Sequence, residues 1–234
     1  QDSSEDSGTP GISNTPPTTP EVRLSTQSIS VIGTIGSNAP TRDFQVSNDG
    51  INVLNYQITD DVNWLSVTPA SGSSSNPIDF QNHEIIFNSA ALPGGEHTAT
   101  ITVTDSLAIN SPQSITVSLT VEAPVLELST GSLAFAAATN EPVADTTIQV
   151  WNDVENTVLN YNLASDVGWL DISPRWGTSN GPTDRKVHTL LVSTLGLPNG
   201  QYTGHITVTD PIALNTPQIL TVNLTITDDI LVLL

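Results

Sequence analysis

From Glu21 onward the chain alternates apolar and polar residues with a period of two. Val22 and Leu24 open the pattern, followed by Ile29 and Val31, Phe44 and Val46, then Leu54, Tyr56 and Ile58. After a Ser- and Gly-rich loop come Ile85 and Phe87, Ile101 and Val103, and a last run of Ile115, Val117, Leu119 and Val121. Thr and Ser fill most intervening positions, and Gly, Pro, Asn and Asp cluster between the runs. This pattern predicts roughly seven or eight short half-buried strands, with no helical spacing between them.

The whole pattern then occurs again. Residues 53–121 and 158–226 align without a gap at an offset of 105, and 31 of the 69 paired positions are identical. Upstream the offset is 104, because the loop after Asp153 is one residue longer than the loop after Asp49. Leu126 and Leu128 answer Val22 and Leu24, and Ile148 and Val150 answer Phe44 and Val46. A length change confined to a loop leaves strand register intact, so the chain is an internal duplication of one folding unit. The expected fold is all-β: two tandem immunoglobulin-like antiparallel β-sandwiches with extended N- and C-terminal segments. The expected boundaries are a polar tail over 1–20, a first sandwich over 21–122, a second over 123–229 and an apolar strand over 230–234.

The sharpest local signature within the repeat is Trp64-Leu65-Ser66-Val67-Thr68-Pro69, matched by Trp169-Leu170-Asp171-Ile172-Ser173-Pro174. A second is Leu92-Pro93-Gly94-Gly95, matched by Leu197-Pro198-Asn199-Gly200, each leading into a strand Ile-Thr-Val-Thr-Asp. This set resembles the BACON-like and related bacterial immunoglobulin-like (fibronectin-III-like) repeats of secreted and surface proteins. The resemblance covers both repeats. It implies a β-sandwich that serves as a spacer, and the family name carries a carbohydrate-binding role.

Five basic residues stand against 24 acidic ones, a formal net charge of −19. A surface of that sign repels nucleic acid and anionic membrane, so neither is an expected partner. With no Cys there is no disulfide framework and no thiolate metal site. No run has the length of a transmembrane helix, so membrane insertion is not expected. The polar, acidic start at Gln1 reads as the mature end of a secreted chain, giving an extracellular or cell-surface expectation.

Candidate chemistry is sparse. No Ser sits in a nucleophile elbow and no Gly-rich phosphate loop precedes a helix. His83-Glu84 begins like a zinc-protease motif, but residue 87 is Phe. The chain is therefore expected not to be an enzyme and to need no cofactor. Acidic turns at Asp60-Asp61, Asp105, Asp210 and Asp228-Asp229 admit calcium as a lesser alternative to local hydrogen bonding. Trp64 and Trp169 occupy equivalent positions and are expected in the two cores. Trp151 and Trp176 differ, because their counterparts are Ser47 and Ser71, and Tyr202 stands opposite His97. An aromatic present in one copy only is not needed by a shared core, so these three are the candidates for sugar stacking or a protein contact.

At offset 105, Ile230-Leu231-Val232-Leu233-Leu234 falls on the opening strand of the second repeat, Val125–Ser129. Apolar side chains on both faces suit a strand covered on both sides. The expectation is a secreted structural subunit of an extracellular filament or surface appendage, with itself as partner, assembling head to tail by donation of residues 230–234. The alternative is a carbohydrate-binding or adhesive spacer of a larger cell-surface protein, with glycans as partners.

Overall fold

A computed structural model gives the fold, and its description covers residues 19–228. The first repeat has nine strands: β1 (Val22–Leu24), β2 (Ser28–Thr34), β3 (Arg42–Asn48), β4 (Leu54–Asp60), β5 (Leu65–Thr68), β6 (Ser71–Ser74), β7 (Gln81–Phe87), β8 (Gly95–Thr104) and β9 (Gln113–Glu122). The second repeats them as β10 (Leu126–Leu128), β11 (Ser132–Ala138), β12 (Thr146–Asn152), β13 (Leu159–Ser165), β14 (Leu170–Ser173), β15 (Trp176–Ser179), β16 (Lys186–Val192), β17 (Gly200–Thr209) and β18 (Gln218–Thr227). Each repeat makes one four-stranded and one five-stranded sheet. The orders are β1-β3-β7-β5 with β2-β9-β8-β4-β6, and β10-β12-β16-β14 with β11-β18-β17-β13-β15. The two sandwiches therefore share one immunoglobulin-like topology, strand for strand.

Alternation sends one face of each strand inward. Phe44, Val46, Leu65, Ile85 and Phe87 from one sheet are buried, as are Leu54, Tyr56, Ile101, Val103, Val117 and Leu119 from the other. Their equivalents Ile148, Val150, Leu170, Leu190, Leu159, Tyr161, Ile206, Val208, Val222 and Leu224 are buried in the second sandwich. Apolar side chains of two facing sheets, removed from water, supply the main stabilisation of each domain.

Two features differ from the period-two reading. Each repeat carries two more short strands than its apolar runs mark, β5 with β6 and β14 with β15. After Trp64 the chain first pairs with β7, then crosses past Pro69 to pair with β4 in the opposite sheet. Strand β6 reads SGSS and buries only its last Ser, so hydrophobicity leaves no trace of it. Its glycine has a steric reason. Gly72 lies opposite Tyr56, and a Cβ there would run into the Tyr56 hydroxyl; Gly177 and Tyr161 repeat the arrangement. The second difference is a parallel pairing, which period-two alternation does not announce. Strand β11 runs parallel to β18, from Ser132 opposite Thr221 to Ala138 opposite Thr227.

Buried amides finish the edges. Asn152 Oδ1 accepts from the N–H of Val125 (3.0 Å) and Val154 (3.1 Å), while Nδ2 donates to the carbonyls of Val154 and Thr157 and to Thr157 Oγ1. Asn48 does similar work for Glu21, Gly50 and Asn52. Asn110 and Asn215 clasp both backbone groups of Val22 and Leu126, substituting for a strand neighbour of β1 and β10. Thr19 and Pro20, placed with the polar tail on sequence, accept from Ile51 N–H and Ile109 N–H and so belong to the first sandwich. The rest of that tail, 1–18, and the apolar segment 230–234 lie outside the described residues.

Candidate functional site

The most polar element of each core is a Tyr–His pair. His83 Nδ1 lies 2.7 Å from the Pro69 carbonyl, which can only accept, so Nδ1 carries the proton. Nε2 then accepts from the Tyr56 hydroxyl at 2.8 Å. His188, Pro174 and Tyr161 reproduce both bonds at the same distances. Burial pushes the Tyr56 hydroxyl up to about 12, reinforced by the charge of Asp79, and shifts Tyr161 in the same direction. Burial also holds both imidazoles below their ordinary value, with the proline carbonyl opposing in part. The hydroxyls stay protonated and the rings stay neutral, so the pair is a satisfied structural contact.

This burial sets a pH response. The unfolded chain takes up a proton at His83 and at His188 near pH 6.5, where the folded chain resists it. Stability is therefore complete above about pH 6.5 and falls as pH drops toward the lower folded values. Asp166, which is exposed, and half-buried Asp79, Asp171 and Asp184, all held below the usual carboxylate range by hydrogen bonds, add a further loss at more acid pH. Urea titrations at about pH 7.5, 6.5 and 5.5 check this. Equal stabilities across the three would mean that the rings charge freely when folded.

The aromatic residues singled out on sequence fall into different settings. Trp64 is 8% exposed and stacks on Phe87, with centroids 6.4 Å apart. Trp169 packs on the second core but is only half-buried, meeting Tyr202 edge-on. The difference follows from replacements around it. Phe87 becomes Val192, and Ala99 becomes Gly204, over which Trp169 leans so closely that a Cβ there would sit 3.1 Å from its Cζ2. Tyr202 donates its hydroxyl to the Pro198 carbonyl at 2.7 Å and is occupied by that turn.

Trp151 is half-buried rather than open. Arg185 lies over its ring, 3.7 Å from the centroid, and its buried Nε1 has no hydrogen-bond partner among the described residues. Trp176 is the open one, 68% exposed on β15, the edge strand of its sheet. It stands between two depressions. One is lined by Asn160, Asn162, Gly177 and Thr178, the other by Pro174, Lys186, Val187 and His188. Arg175, just before it, forms a two-pronged pair with Asp171, and Lys186 pairs with Asp184.

The acidic turns bind backbone. Asp105 accepts from Asn55 and Leu107 N–H, Asp210 from Asn160 and Ile212 N–H, and Asp61 from Thr100 N–H. Among the described residues, no group of three or more His, Asp or Glu is placed to hold a metal ion. No helix among them is long and apolar enough to cross a membrane.

Sequence reasoning missed Arg175, Arg185, Lys186, Asn160, Asn162 and Thr178. The signal for the cations was present, since their first-repeat counterparts are Ala70, Phe80 and Gln81.

Fold and surface together define a tandem immunoglobulin-like module whose second copy carries an added aromatic and basic surface. The chain belongs to the family described as Viral BACON domain, which matches residues 21–122 and again 125–208. A search of curated protein sequences returns no match. Among solved structures, a Porphyromonas gingivalis W83 protein of unknown function is 11% identical, with 87% of this chain and 99% of that chain covered and a TM-score of 0.35. A Bacteroides ovatus GH5 xyloglucanase bound to a heptasaccharide is 17% identical over 44% of this chain and 19% of its own, at a TM-score of 0.32. The D0-D1 domain of intimin is 10% identical, with 88% of this chain and 95% of that chain covered and a TM-score of 0.31. At these scores no property of those proteins transfers to the chain.

Proposed function

We propose that the chain is a non-catalytic adhesive module displayed on a surface, whose second repeat contacts a carbohydrate through Trp176. The observation that carries this reading is the exposure of a large indole on an edge strand where the first repeat has Ser71. An exposed indole offers a flat apolar face that matches the C–H face of a pyranose, and the Asn and Thr side chains beside it match sugar hydroxyls. Membership of a BACON family supports display outside the cell. The test is retention of the whole chain on a panel of immobilised polysaccharides, beside Trp176→Ser. Retention of the native chain that the variant loses supports the reading, and no retention on any polysaccharide removes it.

Head-to-tail assembly through residues 230–234 is the second reading. What favours it is that the equivalent segments of both repeats, β1 and β10, are three-residue strands at the edge of a four-stranded sheet. Sizing the same preparation over a range of concentrations, with and without residues 230–234, decides it. A native chain that stays monomeric at every concentration rejects it.

A further inference from the structure

Three of the chain's five basic residues, Arg175, Arg185 and Lys186, lie within one stretch of the second repeat. They accompany two indoles, Trp151 and Trp176, that the first repeat lacks. Arg175 adjoins Trp176, Lys186 lines a depression with Trp176, and Arg185 covers Trp151. In the first repeat the matching positions are Ala70, Ser71, Phe80, Gln81 and Ser47. Five positions have thus changed together, each toward a cation or an indole, in a chain whose net charge is −19. Resting on the adhesive reading above, we infer that this surface selects anionic glycans, pyranose chains bearing carboxylate or sulfate groups, over neutral ones.

The fold does not need these cations. Where Lys186 meets Asp184, the first repeat closes the same turn with neutral Gln81, whose Nε2 donates to Asp79 at 2.9 Å. The Arg175–Asp171 pair is exposed, and exposed pairs contribute little to stability. In the first repeat Ala70 and Ser66 hold those places, so that sandwich forms without the pair. Arg175 and Lys186 are therefore surplus to stability, each balanced by its own aspartate at the surface.

Arg185 shows how an anion would be received. Its guanidinium carbon lies 3.7 Å from the centre of the Trp151 ring, and a cation–π contact of this kind consumes none of the group's N–H donors. No carboxylate among the described residues lies within 4.0 Å of it. A planar fork held in place by an aromatic ring suits a carboxylate or sulfate of a bound sugar. Elsewhere on the same repeat Trp176 supplies a stacking face, and Asn160, Asn162 and Thr178 supply amide and hydroxyl partners around it. The acidic remainder of the surface opposes approach at long range. At about 0.15 M salt its field is screened beyond about 8 Å, so contact is decided by the groups at the site. There Asp171 and Asp184 balance Arg175 and Lys186, and Arg185 remains as the cation without a carboxylate partner among the described residues.

The experiment uses the whole chain at about 0.15 M NaCl. It compares binding to polygalacturonate, to heparin, to neutral dextran and xylan, and to poly-L-glutamate. Three variants install first-repeat residues, which the first sandwich already accommodates: Trp176→Ser, the pair Arg175→Ala with Lys186→Gln, and Arg185→Phe. Binding to polygalacturonate or heparin about ten-fold or more tighter than to the neutral glycans, and weakened about ten-fold by Trp176→Ser and by the cation variants, is expected. Preference for polygalacturonate identifies carboxylate and preference for heparin identifies sulfate; either supports the inference. Neutral glycans bound equally well, with the cation variants unchanged and Trp176→Ser impaired, would overturn the anionic preference and leave the adhesive reading standing. Poly-L-glutamate bound as tightly as the glycans would replace it with a general polyanion site. Absence of binding to every glycan would overturn both readings.

Discussion

Replacing Trp64 by Ala is expected to cost about 3–5 kcal/mol, a large share of the stability of a typical small domain. The ring is buried, stacks on Phe87, and sits at the start of the segment that crosses between sheets. Removing it opens a cavity that Phe87 and Leu65, themselves held in strands, cannot fill. Trp169→Ala is expected to cost about half as much. Its ring is already partly in water, leans over Gly204 and meets Tyr202 only by an edge. Urea titration of both variants, followed by circular dichroism, tests the asymmetry. Equal losses would mean that the exposure of the two rings does not govern their contribution.

Asn152→Ala should cost about 3 kcal/mol, although it removes only a small polar side chain. The amide accepts from two backbone N–H groups and donates to three oxygens, all in a closed corner. Alanine leaves the N–H groups of Val125 and Val154 without their acceptor, and each buried unpaired group costs about 1–3 kcal/mol. Asn152→Asp is expected to be no better at neutral pH, because one carboxylate oxygen would face the Val154 and Thr157 carbonyls. Denaturant midpoints of the two variants measure this. Loss of less than about 1 kcal/mol in both would show that water replaces the amide.

The strands of both cores were readable from period-two alternation because one face of each is buried and the other wet. Strands β6 and β15 were not, since SGSS and WGTS owe their places to Tyr56 and Tyr161 above a glycine, and apolar spacing does not record that. The parallel ladder was equally silent, because alternation fixes which face of β11 is buried and not which way its neighbour runs. Asn48 and Asn152 left a trace that went unused. A polar residue identical in two copies, between apolar strands, has a structural reason as often as an apolar one. At the candidate site, comparing copies exposed Trp151 and Trp176, since a side chain absent from one folded copy is dispensable to the core. The same comparison at Ala70, Phe80 and Gln81 would have found the cations. Which of the two indoles is covered depends on where Arg185 reaches, and that is a matter of three dimensions.

The parallel pairing of β11 with β18 also decides how the second sandwich bears tension. The chain enters this repeat through three-residue β10, which is held by only a short pairing with β12, passes into β11 and leaves after β18. Beyond β10 the load falls on β11 and β18, which point the same way over seven paired positions. Pulling the ends apart drags β11 toward its beginning and β18 toward its finish, so the strands must slide past one another. Every hydrogen bond of the ladder, with Thr221 N–H to Gly131 and Thr139 N–H to Thr227 at its limits, is loaded at the same moment. An antiparallel closing pair pulled from one end would peel open one bond after another. The second repeat is thus built to resist shear along this ladder.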